Sequence, residues 1–342
     1  MFNKTIYDIA KEAGVSVSTV SRVINNTAPV KDITRNKVLS YINKYQFQPN
    51  ALARSLTKKE TGMIGIILPD ITNPFFPEVF AGAEEEARDK GFTFFLCNTA
   101  GNHGRESEYL SLLRDKQVDG IIFLGGRINL TRCSAELVKE ITDLNHKIPI
   151  VLVNGNLSNA SCYRVITDEF LGAKLATQHL IDLGHKDIGF LGGLDFMVPT
   201  VQKVKGFYQT MKDNGLEIRK EWTLHGEFSI PDGRRLMEQF LLMKSKPTAI
   251  FCVNDFTAIG AIKAVVEKGL RIPEDIAIIG FDDTPLASAI IPELTTVSQQ
   301  SQELGRTAVE VLHKLINKEK VKKLTVIKPE LIVRQSTVGK KV

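Results

Sequence analysis

The chain has 342 residues, of which 43% are apolar, 7% aromatic and 24% charged, a globular composition too long for one ordinary domain. Its net charge of +5 is unevenly spread, because residues 1–60 hold ten Lys/Arg against four acids, a local +6 that leaves −1 for the other 282. Charge able to attract a polyanion is therefore confined to the first sixth of the chain. No apolar run approaches the roughly 18 residues of a membrane span, and no basic start leads into an apolar export signal, so a cytoplasmic protein without membrane partners is expected. Cys97, Cys133, Cys162 and Cys252 contain no Cys-x-x-Cys pair, which fits reduced thiols better than a zinc ribbon or a disulfide scaffold.

In chain order, Ile6, Ile9, Ala10 and Ala13 recur at helical spacing, with Thr5 as cap and Gly14 as left-handed stop. After Val15, Ser16 offers a second cap. Val20, Val23 and Ile24 then form an apolar stripe, leaving Ser18, Thr19, Ser21, Arg22 and Asn25 outward. Two short helices around a Gly-containing turn form the helix-turn-helix pattern, whose second helix enters the DNA major groove. Spacing alone would equally fit a helix pair in a bundle. Val38, Leu39, Ile42 and Tyr45 predict a third helix over Asp32 to Tyr45, which Pro49 keeps from continuing. The run Asn50 to Leu56 is a good helix former but too short to be stable alone. Lys58 to Gly62 reads as an exposed linker. The expected divisions are a headpiece over 1–48, a hinge helix and linker over 49–61, and a core over 62–342.

From Met63 onward short apolar runs alternate with amphipathic ones. Strands are predicted at Met63–Leu68, Phe92–Cys97, Gly120–Leu124, Ile150–Val153, Arg164–Thr167, Ile188–Leu191, Ala249–Val253 and Ala277–Phe281. Helices are predicted at Pro77–Lys90, Glu106–Lys116, Glu169–Asp182 and Phe256–Lys268. Continuous apolar strands separated by helices argue for parallel sheets covered on both faces. About 280 residues of this pattern is large for one sheet, and Tyr163 reads as a second start, so two doubly wound α/β lobes are predicted. A helix over Gln300–Ile316 and a strand near Leu324–Ile327 are expected to cross back and complete one lobe each. Ligands in such folds sit beyond the carboxyl ends of the strands, here between the lobes.

The string from Thr5 to Asn25, with Asp8-Ile-Ala10, Ala13-Gly-Val-Ser16 and Thr19-Val-Ser-Arg-Val-Ile-Asn25, closely resembles the DNA-binding headpiece of the lactose-repressor (LacI) family of bacterial transcription regulators. The core also resembles that family, which shares the fold of periplasmic sugar-binding proteins. The matching stretches include Gly65-Ile-Ile-Leu-Pro-Asp-Ile-Thr-Asn-Pro-Phe-Phe76, Leu183-Gly-His-Lys-Asp-Ile-Gly-Phe190, Asn254-Asp255 and Ile272-Pro-Glu-Asp-Ile-Ala-Ile-Ile-Gly-Phe-Asp-Asp283. Five residues follow Arg334-Gln-Ser-Thr337, with no heptad zipper, so the resemblance implies a homodimer rather than a tetramer.

Residue by residue, the resemblance implies base contacts from Val17, Ser18 and Arg22. Arg22 can read guanine with two bonds, whereas Val17 offers only apolar contact. Phosphate contacts fall to Thr5, Tyr7, Ser16, Thr19, Ser21, Asn25, Lys31 and Thr34. Phe47 stands where the family often has Tyr, and is read as core. By residue type Leu56 is a core leucine. The resemblance instead implies a minor-groove wedge at the operator centre, flanked by Ala53 and Arg54.

In the core, Phe75, Phe76, Asn154, Asp195, Phe228, Asn254, Asp255, Asp282 and Asp283 follow the strands. Aromatic faces beside carboxylates and amides suit a sugar, although each Phe alone reads as core and each Asp as a helix cap. Matched to family positions, Phe76, Lys203, Phe228, Asn254 and Asp282 are the expected effector contacts, with Phe75 and Asn154 added from their places after the strands, while Asp255 and Asp283 are expected to cap the helices at Phe256 and Pro285. Lys203 replaces a family Arg and lacks its fork, so the effector geometry is not carried over.

No His-Glu-x-x-His, Gly-x-Ser-x-Gly or P-loop motif is present, and neither enzymatic activity nor a cofactor is expected. The competing function within the family is global carbon-catabolite control through a phosphorylated carrier protein. Those members share Tyr-Asp-Ile-Gly-Ala-Val-Ala-Met-Arg. This chain has Gln302-Glu-Leu-Gly-Arg-Thr-Ala-Val-Glu310, without the basic end, so a repressor governed by a small carbohydrate is the preferred reading.

Overall fold

A computed structural model describes residues 4–25, 28–47, 61–157 and 160–339, and of Asn25 only the backbone. The chain divides into two compact units, with the break between Thr61 and Gly62. The hinge segment, with Ala53, Arg54 and Leu56, lies outside the described residues.

The first unit is a three-helix headpiece of α1 (Ile6–Ala13), α2 (Val17–Asn25) and α3 (Asp32–Lys44). Ile9, Ala13, Val20 and Val38 are fully buried at its centre, and Phe47 packs against them as expected. Gly14 ends α1 at φ 63°, the left-handed backbone that glycine adopts freely. Tyr45 on the far end of α3 donates to Glu12 (2.5 Å), which also receives Lys4 (2.8 Å), so α1 and α3 are tied at their edges.

The second unit holds two lobes. In the first, strands run in the order β11 (Leu324–Ile327), β5 (Tyr163–Thr167), β4 (Ile150–Val153), β3 (Gly120–Leu124), β1 (Met63–Leu68) and β2 (Thr93–Asn98), all parallel. Helices α4 (Phe75–Asp89) and α12 (Ser301–Ile316) cover one face, and α5 (His103–Asp115) and α6 (Ala135–Asn145) the other. β1 and β3 are buried almost throughout, the signature of strands covered on both sides. The second lobe has a parallel sheet in the order β7 (Thr223–Leu224), β6 (Ile188–Leu191), β8 (Ala249–Cys252), β9 (Ala277–Ile279). It is sandwiched between α7 (Glu169–Asp182) with α8 (Val198–Asp213), and α9 (Ile230–Leu242) with α10 (Asp255–Glu267). The short α11 (Pro285–Ala289), the antiparallel pair β10 (Thr296–Ser298) and β12 (Glu330–Ile332), and α13 (Gln335–Val338) complete it.

Two expectations are corrected. Tyr163–Thr167 does not open the second lobe: it pairs with β4 and β11, and the second lobe starts at α7. The late helix and strand do not serve one lobe each, since α12 packs on α4 and β11 pairs with β5, both in the first lobe. An apolar run fixes that a segment becomes a strand, but its neighbour is chosen by packing across the sheet.

Helix crossings in both lobes depend on glycine. A Cβ on Gly82 would lie 2.0 Å from the Gln302 carbonyl oxygen, and one on Gly305 2.0 Å from that of Val79, so α4 and α12 meet backbone to backbone. Gly233 and Gly260 do the same for α9 and α10 in the other lobe. Among the described residues no helix is long and apolar enough to cross a membrane. The four cysteines are unpaired, and burial pushes the Cys97 and Cys162 thiols up to about 11.

Candidate functional site

In the headpiece, Ser18 and Arg22 are exposed on α2, and Tyr7 is 71% exposed on α1. Val17 is only half exposed and leans on the core. The Thr5 hydroxyl caps α1: it accepts from the Asp8 amide (3.4 Å) and donates to the Asp8 carboxylate (2.8 Å), which also receives the Thr5 amide (2.8 Å). That network holds the Asp8 carboxyl below its ordinary range. Ser16 caps α2 by accepting from the Thr19 amide (3.2 Å), and its hydroxyl lies 2.8 Å from those of Ser18 and Thr19. A phosphate reaching Thr5 or Ser16 would thus compete with a cap already made. Lys31 is exposed and its side chain caps nothing, while Ser21 and Thr34 are half-buried.

In the core, one cavity of about 760 Å³ lies between the lobes, and Phe75, Phe76, Asn154, Lys203, Phe228, Asn254 and Asp282 all line it. Asp195 is not in its wall. Each of the seven is placed by the turn that follows a strand or by the first half of a helix. Phe75 and Phe76 open α4, where the Asn73 side chain accepts from the Phe75 amide (3.2 Å), and their rings meet edge to face at 5.3 Å. Asn154 follows β4 at φ 49° and Asp282 follows β9 at φ 116°, left-handed conformations that cost energy in non-glycine residues and cluster at functional sites.

Gln299 joins the two sides: its amide donates to Asp282 (2.6 Å) and its carbonyl accepts from Asn154 (2.7 Å). Asn154 in turn accepts from the Thr167 amide (2.7 Å). Burial pushes the Asp282 carboxyl up to about 8, against the opposing pull of the Lys203 charge. The Lys203 ammonium rests 4.0 Å over the ring of Phe281, which leans on Phe251, itself stacked edge to face on Phe190. Asn254 is the cap of α10, accepting from the Thr257 amide (2.9 Å) and donating to the Phe228 carbonyl (3.3 Å). Its acceptor is therefore already used, and only part of its amide faces the cavity.

The caps expected from Asp255 and Asp283 fall elsewhere. Asp255 accepts from the amide (2.7 Å) and hydroxyl (3.0 Å) of Thr284 and from Thr296 (2.6 Å), while Asp283 pairs with Arg334 (2.8 Å). Burial moves the Asp255 carboxyl up to about 6 despite those bonds.

Sequence reasoning missed four further residues. Glu169 and Asn129 line the cavity, and each has a buried side-chain oxygen with no partner among the described residues. Gln299 is the link just described. Arg127 is fully buried beneath the 3₁₀ turn Gly126–Asn129 that forms part of the wall, bonded to Glu106 (2.5 Å), Glu140 (2.6 Å), Ser107 (2.8 Å) and the His103 carbonyl (2.7 Å). A charged residue directly after a Gly-Gly turn reads as solvent-facing, which is why it escaped notice. Across the mouth, Leu130 and Met197 form an antiparallel bridge, and the Thr131 amide donates to the Phe196 carbonyl (2.9 Å).

Residues 5–50 match the model of bacterial regulatory proteins of the lacI family, and residues 177–337 match that of the periplasmic binding protein-like domain. The chain is 40% identical over 337 residues to the HTH-type transcriptional regulator DegA of Bacillus subtilis, covering 97% of this chain and 98% of that one. It is 36% identical over 336 residues to the HTH-type transcriptional repressor PurR of Photobacterium profundum, at 97% and 98% coverage. The solved Lac repressor dimer, bound to operator and the anti-inducer ONPF, superposes with a TM-score of 0.86 at 27% identity, over 98% of this chain and 99% of that one.

Proposed function

The chain belongs to the lacI family of bacterial regulatory proteins, and from that premise we propose that it is a homodimeric repressor whose grip on an inverted-repeat operator is set by a small sugar-type ligand between the core lobes. The observation that carries the ligand half of this reading is the convergence of seven side chains, from both lobes and far apart in sequence, on one cavity of about 760 Å³. Ring faces at Phe76 and Phe228 would take the CH face of a sugar ring, and Asp282, Lys203 and Asn154 offer partners for its hydroxyls. The Gln299 bridge gives such a ligand a route to both lobes, because a change at Asp282 alters the bond that Asn154 makes from the other side.

On the DNA side, Arg22 and Ser18 are the base readers, with Val17 contributing apolar contact. Lys31, Tyr7, Thr19, Ser21, Asn25 and Thr34 fix the register on phosphate, and Leu56 wedges the operator centre. The exposure of Ser18 and Arg22 on one short helix, within the segment that carries the +6 charge, supports this division.

The test is operator binding by fluorescence anisotropy with a panel of neutral sugars, uronates, sugar phosphates and nucleobases, repeated on Asp282→Ala. A sugar that shifts operator affinity in the parent and not in Asp282→Ala is the expected result. A panel hit that acts equally on both places the ligand elsewhere. If no member acts, control by a carrier protein is the better account, although Arg306, in the helix that would meet it, is already paired with Glu85 (2.7 Å).

A further inference from the structure

Charge in the cavity wall is lopsided. Lys203 is the only Lys or Arg among the described lining residues, against the acidic side chains of Asp70, Glu169 and Glu227 and the Asp282 carboxyl, which burial holds up to about 8. Lys203 is 3% exposed, and its ammonium has the face of Phe281 for company but no carboxylate within ion-pair distance among the described residues. Glu169 stands in the first turn of α7, with one carboxylate oxygen shielded from solvent and bonded to nothing among the described residues, and the amide oxygen of Asn129 is in the same condition on the opposite lobe. A buried acceptor without a donor costs on the order of 1–3 kcal/mol, so it persists where something else gains from it. The helix dipole favours an acid in the first turn of α7, but a surface carboxylate would satisfy it equally.

These groups define what the missing partner must offer. Two acceptors, Glu169 and Asn129, require donors, and one cation, Lys203, requires an acceptor. Neighbouring hydroxyls supply both, and an amine supplies the donor. A phosphate or carboxylate would satisfy Lys203 but leave Asn129 without a donor, and would set its negative charge beside the Glu169 carboxyl, which burial already pushes up and the Lys203 charge pulls back. We propose that Glu169 is a specificity-determining residue of the cleft, selecting a neutral or amine-bearing, donor-rich ligand and excluding acidic and phosphorylated ones. This rests on the cleft being the ligand site, and it deepens that reading by assigning the charge class.

Inorganic phosphate is a suitable probe, since it reports on access to Lys203 whatever the natural ligand is. Melting temperatures of the full chain, Glu169→Gln, Lys203→Gln and the double variant are compared in phosphate and in chloride at equal ionic strength, so that phosphate bound at the headpiece cancels. At phosphate about tenfold above its dissociation constant, Glu169→Gln should gain about 3 °C over the parent. The parent should respond no more than Lys203→Gln, and the double variant should fall back to the parent. Without phosphate, Glu169→Gln should melt no lower than the parent, because it removes an unpaired buried carboxyl. The proposal is overturned if phosphate stabilises the parent as much as Glu169→Gln, if Glu169→Gln gains nothing, or if Glu169→Gln alone melts well below the parent, which would make Glu169 a structural residue. Neutral sugars run on the parent separate the two levels: a sugar that acts while the parent also takes phosphate sinks only the charge selection. Silence from every sugar, with the phosphate result intact, sinks only the sugar.

Discussion

Replacing Arg127 by Met should unsettle the first lobe more than any surface change. Its guanidinium is fully buried, and the Glu106 carboxylate it grips is 1% exposed, so the pair is shielded from water on both sides. Removing one member of a buried pair leaves the other charged and unsolvated, at a cost of about 3–5 kcal/mol. The bond to Glu140 adds little, because that carboxylate is 42% exposed and screened. At roughly 2 °C per kcal/mol for a unit of this size, the melting temperature should fall by about 6–10 °C, read by circular dichroism or calorimetry. The double variant Arg127→Met/Glu106→Leu, which removes both charges, should recover all but about 1 kcal/mol, the residue reflecting the Arg127 amide, which now donates to Glu106 at 3.2 Å and would lose its acceptor. A single variant that loses less than about 1 kcal/mol, or a double variant less stable than the single, would refute the view that burial of an unpaired charge dominates.

Gly305→Ala should cost about 1–3 kcal/mol in a urea titration, because its Cβ would sit 2.0 Å from the Val79 carbonyl and α4 and α12 would have to part; an unchanged midpoint would mean the crossing is softer than described. Asp282 ordinarily titrates near 3.8 but is held up to about 8 by burial, so the folded protein keeps a proton that the unfolded chain releases. Its contribution to stability is whole below about pH 4 and is lost as the pH climbs to 8, and Asp282→Asn should therefore gain melting temperature over the parent progressively across that window, a flat difference counting against the burial argument. Arg22→Ala should weaken operator binding by about 1–3 kcal/mol and erase preference at one base pair per half-site, whereas Lys31→Ala should weaken operator and random DNA alike in anisotropy titrations; equal losses for both variants on both DNAs would remove Arg22 from base reading. Leu56→Ala should keep the core's melting temperature and reduce operator bending in a phased-gel assay, and unchanged bending would leave it a packing residue.

Much of this architecture was legible in the chain because parallel strands buried on both faces write themselves as continuous apolar runs. Met63–Leu68, Gly120–Leu124, Ile150–Val153 and Ile188–Leu191 were bounded to the residue, as was the helix Glu169–Asp182. The segments β7, β10 and β12, of two or three residues, carry no periodicity to read and were absent from the expectation. Strand partners were harder, since β5 and β11 join the first lobe through contacts that local pattern does not encode. In the cavity, the aromatic and amide positions were found by resemblance, but Glu169, Asn129 and Gln299 were not. Glu169 looks like any acid opening a helix, and nothing in one dimension reveals that its oxygen faces away from water. The helix caps were misassigned for a related reason: Asn254, not Asp255, caps α10, and Asp255 spends its carboxylate on Thr284 and Thr296, residues about thirty to forty positions later.

The late return of the chain to the first lobe bears on how the protein is made. The sheet begun at Met63 has β1 to β5 in place by Thr167, yet Leu304, Ala308, Val309 and Leu312 of α12, which cover one of its faces, are not synthesised until some 140 residues later. The second lobe, apart from β12 and α13, is contiguous from α7 to β10 and can collapse as soon as it leaves the ribosome. During that interval the apolar side of the earlier sheet, with Ile64, Ile66, Ile122 and Val151, is covered by α4 alone and waits for its second helix. A nascent chain stalled before Ser301 should therefore be more protease-sensitive and aggregation-prone in its first lobe than in its second, which then lacks only β12 and α13, and the lobe that starts first is left open the longer.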